Sequence, residues 1–268
     1  MADIFELPAS MLAYICVVAF IFGTCMGSFL NCAAYRAVRG ESFVKGKSRC
    51  PKCGHELGIK DLIPLLSWLF SKGKCRYCGE PVSVRYPLTE LAFGIITLMC
   101  VLRFGLTVLC LRNFIFLAVL FMLTLTDIDD MIIPDGCHIA ALIAWIAAEP
   151  FITDGWKSSL GHVISGLLFG AALLGISLLL DRMLGKESLG GGDIKLIAVC
   201  GLYLGAIGTL FTLMLSCITG LIYSVIHNAK DESGKGKAFP FGPWIALSCA
   251  IMLLYGDPLI NWYRDLLI

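Results

Sequence analysis

Charge is scarce in this chain. Asp, Glu, Lys and Arg make up 15% of its 268 residues, while 58% are hydrophobic, and mean hydropathy is +0.83. A soluble domain is nearer a quarter charged, so an ordinary soluble fold is excluded and an all-α polytopic membrane protein is expected. An excess of one sign is missing as well. Net charge is +1, which speaks against a nucleic-acid partner, because phosphate binding draws on a basic surplus. No basic region precedes the first apolar stretch, Pro8 to Ala34, and that stretch is too long for the core of a cleaved signal peptide. It is expected to stay as a first transmembrane helix that also targets the chain to the lipid bilayer.

A span needs about 20 apolar residues. Eight segments qualify, three of them short: 9–34, 87–102, 109–127, 137–152, 159–181, 193–206, 208–227 and 240–257. The run from Ile194 to His227 also reads as one long hairpin, broken near Gly205 and Gly208. Lys and Arg are unevenly shared between the two sides. Eleven of them, including Lys45, lie between the first two spans. Arg182, Lys186, Lys195, Lys230, Lys235 and Lys237 fall on the same side, against Arg103, Arg112, Lys157 and Arg264 on the other. This bias places the 36–86 loop in the cytoplasm and both termini outside. The expected organisation is a first transmembrane helix over 1–35, a cytoplasmic zinc-binding loop domain over 36–86, and a transmembrane domain over 87–268.

Thirteen cysteines are present, but most read as packing. Cys16, Cys25, Cys32, Cys100, Cys110, Cys200, Cys217 and Cys249 lie in apolar helical sequence, where a thiol behaves as a small hydrophobe; Cys137 also reads as structural. Cys50, Cys53, Cys75 and Cys78 differ. They form two CxxC pairs, RCPKCG and KCRYCG, on a polar island. Cytosolic thiols stay reduced, so paired cysteines there favour a metal over disulfides. Two pairs complete a tetrahedral Zn2+ site, and Gly54 and Gly79 supply the tight knuckles. With four thiolates no coordination position remains for a substrate, so the zinc is expected to be structural.

Two acidic stretches interrupt the apolar sequence. TDIDDMIIPD carries Asp127, Asp129, Asp130 and Asp135; LGGGDIKL carries Asp193. A wet turn accounts for Asp129, Asp130 and Asp135. Asp127 sits closest to the apolar helix body, after FMLTLT, and is expected to be the least exposed of the four. Asp193 opens a helix, where a carboxylate also serves as an N-cap. Gly190, Gly191 and Gly192 before it have no side chains, so another helix or an extended peptide backbone can approach closely. Two neighbouring carboxylates share one proton, since like charges do not both ionise at short range. One then acts as base on water and the other as acid toward a scissile carbonyl.

The order of motifs resembles the type IV prepilin peptidases over nearly the whole chain. GSFLN (Gly27–Asn31) with Tyr35-Arg36 comes first, followed by SRCPKCG, DLIPLLSWLFSKGKCRYC and RYPLTE (Arg85–Glu90). D-x6-PD (Asp127–Asp135), GGGDIKL (Gly190–Leu196) and FPFGP (Phe239–Pro243) follow. The resemblance implies that Asp127 and Asp193 are the catalytic pair, with Asp129 as the second choice for the first acid. It implies removal of a short basic leader, after a glycine, from prepilin or pseudopilin substrates on the cytoplasmic side. It also implies methylation of the new N-terminus from S-adenosyl-L-methionine, although no methyl-donor site is recognisable in the residues. Arg36, Arg85 and Glu90 are candidates for that second activity or for plain interface anchors, and Glu90 or Glu187 for contact with the basic leader. A presenilin-like protease shares the GxGD feature but not the zinc loop, RYPLTE or FPFGP. A proton-coupled transporter with Asp127 and Asp193 as its relay is the non-enzyme alternative. The internal repeat common in transporters is missing. An inactive zinc-clamped scaffold is the third alternative.

Overall fold

The computed structural model describes residues 4–42, 46–152, 156–185, 188–228 and 240–267. Lys45, Lys186, Glu187, Lys230, Lys235, Lys237 and Phe239 lie outside the described residues. Eight α-helices follow one another: α1 (Ala9–Val38), α2 (Leu66–Phe70), α3 (Arg85–Phe104), α4 (Val108–Asp130), α5 (Asp135–Ile152), α6 (Trp156–Leu184), α7 (Gly191–Asn228) and α8 (Gly242–Leu267). Among the described residues all but α2 are long and apolar enough to cross a membrane, and the only extended pairings are two isolated bridges. The four-cysteine loop lies between α1 and α3, with α2 inside it. The chain divides into two compact units, Met1–Cys110 and Leu111–Ile268.

In the first unit α1 and α3 run antiparallel at backbone distance. Lipid is as apolar as leucine, so helices in it associate through close packing of small residues. Gly23 and Gly27 of α1 are four apart and share a face. A Cβ on Gly23 would sit 2.6 Å from Thr97 Oγ1, and one on Gly27 would sit 3.1 Å from Glu90 Cα. The GSFLN and RYPLTE motifs therefore meet, and Gly27 is the point of contact.

The second unit repeats this device between α6 and α7. A Cβ on Gly166 would lie 2.6 Å from the Ala198 carbonyl oxygen, and one on Gly201 would lie 2.5 Å from Gly166 Cα. At 38 residues α7 is about 57 Å long if straight, almost twice a bilayer core. Its backbone breaks at Gly205 (φ 66°, ψ −173°). Contacts with α8 show what the break does. Cys200 meets Cys249, with Sγ 3.3 Å apart, and both Gly192 and Gly242 pack on Ile133, so residues 191–204 run parallel to α8. Phe211 packs on Tyr263 and Tyr223 on Trp244, so residues 206–228 run antiparallel to it. The chain reverses at Gly205. The eight apolar segments of the sequence are thus recovered as seven long helices, one of them a hairpin.

The other contacts bring one end of every helix in this unit together. Phe116 of α4 stacks on Tyr203 at 3.7 Å, and the Tyr203 hydroxyl donates to the Ala141 carbonyl of α5 at 2.8 Å. The end of α4, the starts of α5, α7 and α8 and the end of α6 share one side. At the opposite side a buried ion pair ties α4 to α5: Arg112 Nη1 donates to Glu149 Oε2 at 3.1 Å. The Arg112 guanidinium lies 5.2 Å from the Tyr203 ring centroid, and its Nε donates to Asn113 Oδ1. Removing one partner of a buried pair leaves the other charge uncompensated, at about 3–5 kcal/mol. Glu149→Leu should therefore lower the unfolding midpoint in detergent strongly. Arg112→Met combined with Glu149→Leu should recover much of that loss, and thermal unfolding of the three proteins checks the order.

Candidate active site

Asp127 lies one turn before the end of α4 and is 5% exposed, whereas Asp129, Asp130 and Asp135 are exposed. The expected ranking of the four acids holds. A buried carboxylate needs donors, and Asp127 finds one across the unit. Its Oδ2 accepts the backbone N–H of Gly242 at 3.0 Å, at the first residue of α8. The free N–H groups of a helix start favour negative charge. Gly242 has to be glycine, because a Cβ there would stand 2.8 Å from Asp127 Oδ2 and 3.1 Å from Ile133 Cδ1. Pro243 follows in the first turn, where a missing N–H costs nothing. The sequence marked FPFGP only as a motif; a Gly-Pro step opening a helix was the signal that it carries a donor.

Asp193 sits in the first turn of α7. Its backbone N–H donates to the Gly190 carbonyl at 3.0 Å. Its side-chain Oδ1 is buried and has no hydrogen-bond partner among the described residues. Ile133, in the turn between α4 and α5, links the surroundings of the two acids: a Cβ on Gly192 would meet its Cβ at 2.9 Å, and one on Gly242 its Cδ1 at 3.1 Å.

The three glycines before Asp193 divide their tasks. Gly192 yields its space to Ile133. A Cβ on Gly190 would lie 3.2 Å from Asp193 Oδ2, whereas one on Gly191 would meet nothing within 4 Å. Close approach from outside is open at Gly191. Asp135, read as part of a wet turn, pairs with Lys195 at 2.6 Å in an exposed bridge from α5 to α7. His138, one turn into α5, was not singled out from the sequence. It is buried beside the Gly192 backbone, and neither ring nitrogen reaches hydrogen-bond geometry with a described residue.

The first unit holds the four cysteines. Their Sγ atoms all lie within 4.8 Å of one another, with Cys50 and Cys78 at 4.0 Å. Zn–S bonds of about 2.3 Å in a tetrahedron put sulfurs about 3.8 Å apart, so the donor set fits zinc. Two matching knuckles build the site. The N–H of Cys50 donates to His55 and that of Gly54 to Cys50; the N–H of Cys75 donates to Glu80 and that of Gly79 to Cys75. Gly54 (φ 71°) and Gly79 (φ 77°) take the left-handed conformation that glycine adopts freely. The backbone N–H groups of Cys53 and Lys52 draw the Cys50 thiol down to about 7. The Glu80 N–H pulls Cys78 down, yet its net shift is up, to about 12, because loss of water around the thiol and then the other three sulfurs push it up. Four thiols in this space need a cation before all can ionise.

Glu90, a candidate for contact with a basic leader, is buried and already engaged: its Oε2 accepts the Leu65 N–H at 2.7 Å. Arg36 donates to the carbonyls of Ser42 and Lys47, tying the end of α1 to the loop.

Residues 21–104 match the model of the bacterial peptidase A24 N-terminal domain, and residues 114–225 match that of the type IV leader peptidase family. The prepilin leader peptidase/N-methyltransferase of Bacillus subtilis (strain 168) is 34% identical over 248 residues, covering 92% of this chain and 96% of that protein. Those of Myxococcus xanthus (strain DK1622) and Pseudomonas aeruginosa are 34% identical over 227 residues and 33% over 223. These alignments cover 82% and 83% of this chain, and 65% and 76% of the relatives. No solved structure matches.

Purified protein is expected to carry one zinc per chain, lost in Cys50→Ser or Cys75→Ser, as elemental analysis will measure. Ligand thiols must deprotonate to bind metal. Zinc capture by metal-free protein, followed with a chelating dye, should therefore be fast above pH 7 and slow below it, as Cys50 becomes protonated.

Proposed function

We propose, from the premise that the chain belongs to the type IV leader peptidase family, that it removes the leader of prepilin-like substrates and methylates the N-terminus so exposed. The observation that carries the peptidase reading is the pair of carboxylates, Asp127 and Asp193, gathered at one end of the helix bundle. Asp127 accepts the Gly242 N–H, and Asp193 has a buried oxygen without a partner among the described residues.

In this reading the pair shares one proton. The Gly242 N–H favours negative charge on Asp127, so Asp127 takes a proton from the attacking water. Asp193 gives its proton to the scissile carbonyl oxygen as the tetrahedral intermediate forms. The proton held by Asp127 then passes to the departing amine, while Asp193 takes back the hydroxyl proton of the intermediate as the carbonyl re-forms and the C–N bond breaks, and the pair is reset. Gly191 borders the acids on the open side and lets an extended backbone lie close. A glycine before the cut fits the same requirement from the substrate's side. The Lys and Arg distribution supports a cytoplasmic side for the acids and the four-cysteine loop, and zinc in this reading serves the fold of that loop. S-adenosyl-L-methionine would supply the methyl group.

Asp127→Asn and Asp193→Asn should each abolish leader cleavage in a reconstituted assay while leaving membrane levels unchanged. Asp129→Asn and Asp130→Asn should retain it. An active Asp127→Asn beside a dead Asp129→Asn would transfer the first acid to position 129. Gly242→Ala should cut the rate at least tenfold by displacing the Asp127 carboxylate, whereas Gly191→Ala should cost far less. A substrate with valine in place of the glycine before the cut should resist cleavage, scored by mass spectrometry; equal cleavage of both peptides would remove the steric argument.

A further inference from the structure

We propose that the segment 59–70 of the four-cysteine loop is a membrane-docking element that lies in the headgroup–acyl boundary of the bilayer. Ile59 is 87% exposed, Phe70 74% and Leu69 63%, and Leu62, Ile63 and Leu66 are also exposed. Six large apolar side chains within twelve residues are an unusual load for a loop facing water. The inner side of α2 is spoken for. Trp68 points into the ribbon, where its Nε1 donates to the Val82 carbonyl at 3.1 Å and its ring lies under Gly73. Leu66, Leu69 and Phe70 are left on the outer side.

The height of the segment relative to the membrane follows from α3. That helix has 20 residues, about 30 Å, which is the thickness of the hydrocarbon core with little to spare. Glu90 is its sixth residue, so its backbone lies about 7–8 Å along the helix from the start. Its side chain leans back toward that start, as helical side chains do. There its carboxylate holds the Leu65 N–H at 2.7 Å. Leu65 adopts φ 61°, a conformation costly for a branched side chain, and this bond pins it. Leu66–Phe70 begin at the next residue. The exposed apolar face is therefore tethered at the level of the first turns of a membrane-spanning helix, where interfacial elements bury their apolar side by about 5–10 Å. Lys60, Lys72 and Lys74 flank it, all exposed, as suits an anionic leaflet.

The occupant of this face is lipid. The test uses the full chain in nanodiscs of mixed phosphatidylcholine and phosphatidylglycerol. A ketone-bearing amino acid replaces Phe70 or, in a second preparation, Leu69, and carries a nitroxide, so the native cysteines stay unlabelled. A third label replaces Lys52 at the tip of the first knuckle. Power-saturation spectroscopy then compares collisions with oxygen and with a water-soluble nickel chelate. The labels at 69 and 70 should favour oxygen several-fold over the label at 52. Nickel access at 69 and 70 equal to that at 52 would overturn the proposal. So would shielding from both reagents, which would mean a protein occupant such as a substrate helix or a second copy. The measurement reads depth, not cleavage, so it stands or falls separately from the peptidase assignment.

Discussion

A carboxylate withdrawn from water has to find a donor, and the arrangement of the second unit turns on where Asp127 finds its own. The Gly242 N–H binds it at 3.0 Å, which joins the end of α4 to the start of α8. Gly242 has no Cβ to crowd that carboxylate, and Ile133 packs in the space a Cβ there would need. Ile133 in turn is seated against Gly192, one residue before Asp193. Three segments distant in sequence therefore share one small volume, and each contact depends on glycine. In lipid, where helices gain little from apolar contact alone, such close approach is what gives two acids a defined relation.

The reversal at Gly205 serves the same end. A straight α7 could not fit a bilayer, and it would send residues 206–228 away from the bundle. The break returns them along α8, so both halves of α7 pack on one helix. The Asp193-bearing half is then held on several sides: by α6 through Gly166 and Gly201, by α8 through Cys249, and by α4 and α5 through Tyr203. A site whose geometry must stay within fractions of an ångström is supported by packing on rigid elements.

The first unit uses a different constraint. Two knuckles of one design present four sulfurs to a common centre, all within 4.8 Å of one another, a spacing that four thiolates can share around a cation. The ribbon is attached to the membrane-spanning part through backbone groups: Glu90 holds Leu65, and Arg36 holds the carbonyls of Ser42 and Lys47. Both RYPLTE and Tyr35-Arg36 thus supply the loop's anchorage, a role that neither motif advertises by itself.

The helical membrane class, the cluster of four cysteines that could hold a metal and the two acids at helix ends were legible in the chain alone. Each is a local property: long apolar runs, CxxC spacing, carboxylates beside apolar sequence. The hairpin within α7 was half legible, as two apolar runs around glycines, since a glycine marks where a helix can break but not which way the chain then turns. Asp127 stood apart from Asp129 and Asp130 because burial falls off along a helix toward its wet end. What the sequence could not determine was who meets whom. That Gly242 donates to Asp127, that Gly192 is spent on Ile133 while Gly191 stays open, and that Glu90 grips Leu65 are all matters of backbone approach between distant segments. A missing Cβ records only that something comes near; tertiary structure alone decides what it is.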